Sequence, residues 1–325
     1  MRRGVTLLID ADPLVYSCGF AAETHHRILN WMEGDREKFA TLHSGWRRDA
    51  FIELYNLDPE EYAEHVHVIP QPLPNALHIL RDTIKRVQQA CEGFAAEVGL
   101  HVGHTRVFLT GKPNYREVVA QIKGYKANRK DSKRPYWYKE MRNYLIERWD
   151  AEVTSGYEAD DALSMIQWNK DHENPSTILC TIDKDLKMVP GLHYNYGKKK
   201  EFYVGWNDAM LAFWRQCLTG DTTDNIPGLW MVGEGKAEKI LPEYTNATEA
   251  YARVLAAYEQ NFDKYPDKHF PHLSGKDSLL ENARLLWMLT HDDELWVPPG
   301  EPAQSLKAWL QENAPLTDPD EELYT

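Results

Sequence analysis

Eight carboxylates fall in four short clusters along this chain. They are Asp10 in LLIDAD, then Glu158, Asp160 and Asp161 in GYEADD, then Asp183 and Asp185 in TIDKD, and Asp221 and Asp224 in GDTTDN. Surface acids usually scatter among lysines, whereas these stand at expected strand ends and helix starts, where segments distant in sequence can meet. Like charges gathered in one pocket cannot all stay ionised without counter-cations. Hard oxygen ligands with no Cys or His among them favour Mg²⁺ or Mn²⁺ over zinc. The chemistry implied is metal-dependent work on phosphoryl groups.

Each cluster alone has a plainer reading. Acids in a first helical turn complement the helix dipole, and Asp beside Lys or Gly is ordinary turn chemistry. Four clusters together shift the weight toward ligands. Glu158 and Asp161 are three apart and are expected to share a helix face. Asp183 and Asp185 project from one face if the preceding strand continues through them. Asp10 and Asp12 do not open an EF-hand loop, because Leu14 and Val15 stand where an acid and a glycine belong. Asp12 precedes Pro13 and is expected to cap the next helix.

Positive charge is as localised as the acids. The 325-residue chain carries a net charge of −13, which taken whole argues against a nucleic-acid partner. Between Arg116 and Arg142, however, nine Lys and Arg face three Asp and Glu, a local +6. That stretch includes Lys123, Lys126, Arg129 and Lys130, with Tyr125, Tyr136, Trp137 and Tyr138 interleaved. A solvated helix face is the usual reading of a charge run; the aromatics favour a phosphate backbone with unstacked bases. Downstream, the turn from Gly228 to Lys236 places Gly233, Gly235 and Lys236 at a helix start, where backbone N–H groups can hold a phosphate without reading sequence.

The elements that must position these residues follow from periodicity. Val5–Ile9, Arg106–Thr110 and Ser176–Ile182 read as buried strands, and Asn75–Val98 as a helix with apolar residues every three or four positions. A helix is expected around Tyr136–Trp149, a short strand at Glu152–Thr154, and a helix from Ser155-Gly156 carrying the EADD acids. Strands alternating with helices predict a parallel α/β sheet. The polar, Pro-punctuated residues from about Glu33 to Pro74 have no clear period and read as an insertion. After Gly205 only helices are expected. The division is therefore a 1–205 α/β core with a basic segment at about 112–150, and a 206–325 helical region with an acidic tail from Pro315. The four cysteines form no CxxC pattern and read as reduced thiols of a cytosolic protein. No run reaches the roughly 20 apolar residues of a membrane span, so no membrane partner is expected.

In order and spacing, LLIDADPLVYS, IKGYKANRK, GYEADDALS, TIDKDLK and LTGDTTDNIPGLWMVGEGKAEKIL resemble the 5′-nuclease superfamily of flap endonucleases and polymerase-associated 5′→3′ exonucleases, and most of all bacteriophage 5′→3′ exonucleases. The resemblance spans roughly residues 5 to 241 and leaves the last quarter of the chain unmatched. It implies a PIN-like, mostly parallel sheet flanked by helices, a helical arch, and a helix-three-turn-helix element at about 219–241. It implies Asp10, Glu158, Asp160, Asp161 and Asp183 at a first metal and Asp185, Asp221 and Asp224 at a second, with Mg²⁺ or Mn²⁺ as the ions. Lys126 and Arg129 match arch residues that approach the scissile phosphate, with Tyr125 a stacking candidate beside them. A K⁺ at the helix-three-turn-helix carbonyls also belongs to the family pattern.

The activity so implied is two-metal hydrolysis of phosphodiester bonds at 5′ ends of duplex or branched DNA, as exonuclease and flap endonuclease, with RNA–DNA primers as a further substrate. A phage member would act in the host cytoplasm in replication, recombination or host DNA breakdown. One departure stands out. The family pattern has an Asp just after the second core strand, where this chain has Thr110-Gly111. Two alternatives follow: a structure-specific DNA-binding protein with an impaired metal site, and a PIN-type ribonuclease.

Overall fold

The computed structural model describes residues 3–33, 35–42, 48–58, 62–130, 132–168, 176–270 and 273–313; the acidic tail lies outside them. In chain order come β1 (Arg3–Asp10), α1 (Asp12–Ala21), β2 (Glu23–Glu33), β3 (Arg36–Leu42), α2 (Arg48–Tyr55), β4 (Tyr62–Pro70), α3 (Leu73–Glu97) and β5 (Leu100–Leu109). Next are α4 (Tyr115–Val119), α5 (Tyr138–Trp149), β6 (Glu152–Val153), α6 (Ala159–Trp168), β7 (Thr177–Cys180), β8 (Gly191–Asn195) and β9 (Lys200–Val204). Then follow α7 (Trp206–Thr219), β10 (Gly220–Asp221), β11 (Ile226–Pro227), α8 (Glu234–Ile240), α9 (Ala247–Lys264) and α10 (Gly275–Leu286). The described chain closes with β12 (Glu294–Leu295), β13 (Gln304–Ser305) and α11 (Leu306–Asn313). None of these helices is long and apolar enough to cross a membrane.

The chain forms two compact units. One holds the residues up to Asp12, Val87–Ser132 and the residues from Trp149; the other holds Pro13–Arg86 and Lys133–Arg148. In the first, six strands run in the order β6-β5-β1-β7-β8-β9. All neighbours are parallel except β8 and β9. The fold is thus mixed α/β with a mostly parallel sheet and flanking helices. β1 is central because Leu7, Leu8 and Ile9 are apolar on both faces and fully buried. Parallel pairing sets the C-terminal ends of β1, β5 and β7 side by side, so Asp10, Thr110 and the residues after Cys180 open on one crevice.

The boundary expected at Gly205 falls inside this first unit. Phe213, Trp214, Cys217 and Leu218 of α7, with Val254 and Tyr258 of α9 and Leu279 and Ala283 of α10, share one apolar core with Leu8, Phe108 and Leu179 of the sheet. Helices that bury their faces on the same core as the strands do not fold apart from them. All four cysteines are buried thiols.

The residues read as an insertion, Glu33–Pro74, supply two strands, β3 and β4, of a small sheet in the second unit. β3-β2-β4 form an antiparallel sheet. Leu29, Leu42 and Phe51 bury on its inner side, with Trp31, Ile52 and Tyr62 around them. Each strand contributes only one or two apolar residues to so small a core, which leaves little alternation to detect.

The segment expected to form the arch, about 112–150, contains α4 and α5. Between α4 and α5 the only helical turn among the described residues is a 3₁₀ turn, Ala127–Arg129. Gly124 and Pro135 interrupt the segment, no apolar face recurs at helical spacing, and its polar side chains bind another loop instead.

Candidate active site

Asp10 ends β1 with only 3 % of its surface exposed, and its Oδ2 accepts a 2.8 Å hydrogen bond from Thr181 Oγ1 just past β7. Thr181 Oγ1 in turn accepts the Asp183 N–H, and Asp183 Oδ1 accepts the Asp185 N–H, so one chain of bonds fixes the β7 exit. Burial first, then the nearby Asp12 and Asp183 carboxylates, push the Asp10 pKa up to about 8. Asp160 is raised by burial and by Asp10, Asp183 and Glu158, and its Oδ1 is buried without a hydrogen-bond partner. Asp183 is raised by burial, with Asp224 and Asp221 adding repulsion. Asp185 is pushed up to about 7 by burial, Asp183 and Asp221.

Mutual repulsion on this scale means that acids from all four clusters face one region. It is also the test of fit for a divalent cation: hard oxygens, excess negative charge and an orphaned buried carboxylate oxygen suit one. Among the described residues, no three Asp, Glu, His or Cys side chains are gathered as a finished cage. Several of the acids are paired with cations of the chain itself.

Those cations are the ones expected at a phosphate. Lys126 Nζ lies 2.6 Å from Glu158 Oε1 and 3.7 Å from Asp224 Oδ2. Arg129 Nη2 reaches Asp224 Oδ1, and its Nε donates to Thr223 O. Asn128 donates to the Thr222 and Thr223 carbonyls, and the Lys126 N–H donates to Asp224 O. Lys126 itself adopts φ 53°, a left-handed turn that swings the segment onto the 222–225 loop. Although burial opposes it, the Lys126 ammonium holds Glu158 below its ordinary pKa.

Tyr125, the expected stacking candidate, is engaged through its hydroxyl. Its hydroxyl donates to Glu158 Oε2 at 2.9 Å and Asp224 Oδ2 at 3.0 Å, and the Lys126 ammonium lies over its ring. Burial and the Glu158 charge raise its pKa, so the phenol keeps the proton it donates.

Asp161, expected at the first metal, already has close partners within the chain. It is fully buried against Arg116, whose Nη1 and Nη2 donate to its two oxygens, and it also accepts the Glu158 and Leu289 N–H groups. Sharing a helix face with Glu158 fails because α6 begins at Ala159, which leaves Glu158 in the approach. Arg116, counted above with the solvent-facing cations, is 1 % exposed and also bonds the Leu285 and Trp287 carbonyls. No local pattern marks such a pair; only the fold brings residues 45 apart together.

Asp12 opens α1 and accepts the Thr110 N–H on its Oδ2 at 2.8 Å, a tie between strand ends where a helix cap was expected. Thr110 accepts the Ala159 N–H on its Oγ1, so it serves the start of α6. At Gly111, an added Cβ would lie 2.1 Å from Thr154 O and 2.9 Å from Val153 Cγ1. A carboxylate side chain therefore has no room here unless the β6 backbone shifts. Gly111→Asp is expected to lower stability by about 3 kcal/mol, read as the shift in urea midpoint; an unchanged midpoint would show that β6 yields freely.

The remaining expected residues divide. Lys123 and Lys130 are exposed. Gly233 and Gly235 face open space at the start of α8, while Lys236 Nζ donates to Met231 O. The turn before them is held by a backbone crossing: a Cβ on Gly220 (φ 69°) would sit 2.2 Å from Gly228 N, and one on Gly228 would sit 2.2 Å from Thr219 O. Asp221 leaves that crossing buried; Lys184 Nζ bonds its Oδ2 at 2.8 Å and, against the pull of burial, keeps its pKa low.

No family model matches the chain. It is 28 % identical over 209 residues to DNA polymerase I of Caldicellulosiruptor bescii, covering 54 % of this chain and 23 % of that protein. It is 32 % identical over 106 residues to the thermostable DNA polymerase I of Thermus caldophilus, covering 27 % of this chain and 12 % of that one. The chain thus spans less than a quarter of these polymerases. Among solved structures, T5 D15 protein co-crystallised with metal ions aligns with a TM-score of 0.42 at 16 % identity, over 62 % of this chain and 81 % of that one. T5 5′-exonuclease with bound zinc aligns at 0.43 and 16 % identity, over 63 % and 80 %.

Proposed function

We propose, from the premise that this chain is a member of the 5′-nuclease superfamily, that it hydrolyses phosphodiester bonds near the 5′ ends of duplex or branched DNA with the help of divalent metal ions. The observation that carries the reading is the cluster of buried acids, Asp10, Asp160 and Asp183, each raised in pKa and each disfavoured as a free carboxylate. The ordered motifs and the similarity to DNA polymerase I support it.

Asp10, Asp160 and Asp183 would hold a first ion and Asp185 and Asp221 a second, Mg²⁺ or Mn²⁺ in each case. Bound there, the ions would supply a water of lowered pKa and a Lewis acid for the leaving oxygen. The chain's own residues do the rest. Lys126 and Arg129 exchange Glu158 and Asp224 for phosphate oxygens, which places positive charge where it develops in the transition state. The same exchange would leave Glu158 and Asp224 available as further oxygen ligands for the ions. Gly233, Gly235 and Lys236 hold the duplex backbone at the start of α8.

A second reading, DNA binding without turnover, is favoured by the engagement of Lys126 and Arg129 with acids and by the closed space at Gly111. Duplexes labelled at the 5′ or 3′ end, with and without a 5′ flap, separate the two in Mg²⁺ and in EDTA. Short 5′ products that need Mg²⁺ are expected. Tight binding with no product in Mg²⁺ or Mn²⁺ would establish the second reading instead.

A further inference from the structure

One neutral side chain bridges the second acidic pair. Gln216, in the last turn of α7, donates through Nε2 to Asp185 Oδ1 at 2.7 Å and to Asp221 Oδ2 at 3.3 Å. A primary amide carries two hydrogens, one for each acid. Its orientation follows from chemistry, since turning the amide over would set Oε1 against two carboxylates.

The rest of Asp221 is already engaged. Its Oδ1 accepts the Thr223 and Asp224 N–H groups, and its Oδ2 takes Lys184 Nζ as well as Gln216. Asp185 is held more lightly, with Lys184 Nζ at 3.8 Å from Oδ1. Gln216 is therefore the closest side-chain donor that holds Asp185 toward Asp221. The buried neighbours Cys217 and Leu218 fix the turn of α7 from which it reaches. Being neutral, Gln216 orients both acids without cancelling the charge that attracts a cation, as Lys184 does.

We propose that Gln216 is a positioning residue for the second acidic pair and sets the affinity with which Asp185 and Asp221 take up a divalent cation. This rests on the metal-dependent reading above. Residues that orient metal ligands typically contribute 10–100-fold in metal affinity.

The test uses the full chain without DNA and follows Mn²⁺ binding by electron paramagnetic resonance, with melting midpoints recorded in EDTA. Gln216→Met keeps length, helix propensity and charge but removes both donors. Gln216→Asn keeps the amide one methylene short of spanning the pair, and stands in should the Met variant not fold. Weakening of one class of Mn²⁺ site by about tenfold or more, beside an EDTA midpoint close to wild type, is expected. A variant isotherm that superimposes on a wild type that binds Mn²⁺ overturns the role of Gln216 alone. A wild type that binds no Mn²⁺ overturns the metal-dependent reading, and this role with it.

Discussion

Asp183→Ala is expected to lower cleavage of a 5′-flapped DNA by about a thousandfold or more while sparing duplex binding. Metal assistance is worth several kcal/mol of transition-state stabilisation, and roughly 4 kcal/mol is a thousandfold in rate. Asp183 is the choice because its charge is felt by Asp10, Asp160 and Asp185, so it stands among both proposed ion positions. Its backbone N–H, bonded to Thr181, survives the substitution, while the bond from the Asp185 N–H to its Oδ1 is lost. Single-turnover rates at saturating Mg²⁺ decide the matter. A rate within tenfold of wild type would remove Asp183 from the mechanism.

The metal-free protein should lose stability as pH rises from 6.5 to 8.5, and Mg²⁺ should restore it. Asp10 stands at about 8 and Asp185 at about 7 against an ordinary 3.8. Across the interval the folded protein keeps protons that the unfolded chain has already released. The stabilisation from those protons is complete below the unfolded pKa and is lost as pH climbs through the folded one. Each unit is worth about 1.4 kcal/mol, and because the acids titrate together the total is nearer 2–3 kcal/mol than the sum of the parts. That corresponds to a melting midpoint lower by roughly 5 °C in EDTA at pH 8.5. Opposing groups act elsewhere: burial holds His193 near 4, and Glu158 and Asp221 titrate lower still than an ordinary carboxylate. Midpoints in EDTA that are equal at the two pH values would show that burial and mutual repulsion do not hold these acids protonated.

What could be read in the sequence was what depends on near neighbours. Val5–Ile9 and the strand before Asp183 are recognisable because a strand buried on both faces is a continuous apolar run. The helix expected at Asn75–Val98 is α3, whose Leu80, Ile84, Val87 and Cys91 bury at helical spacing. The destination of a side chain was not readable. Asp161 and Asp160 are adjacent, yet one closes on Arg116 and the other faces Asp10 and Asp183, a choice made by a short helix, α4, 45 residues upstream. Lys126 and Arg129 look like free cations until the 222–225 loop arrives beneath them. Thr181 and Gln216 carry no motif, because a hydroxyl or amide becomes part of a site only through what the fold sets within 3 Å of it.

The crowding at Gly111 makes the start of this crevice epistatic. With Thr154 O at 2.1 Å from any added Cβ, a carboxylate at position 111 comes only with a shift of the Thr154 backbone. The gain would require β6 to be rerouted first, a change that by itself removes the Thr154 N–H bond to Leu109 O and offers nothing in return. Variation at position 111 and along Glu152–Ser155 is thus bound together.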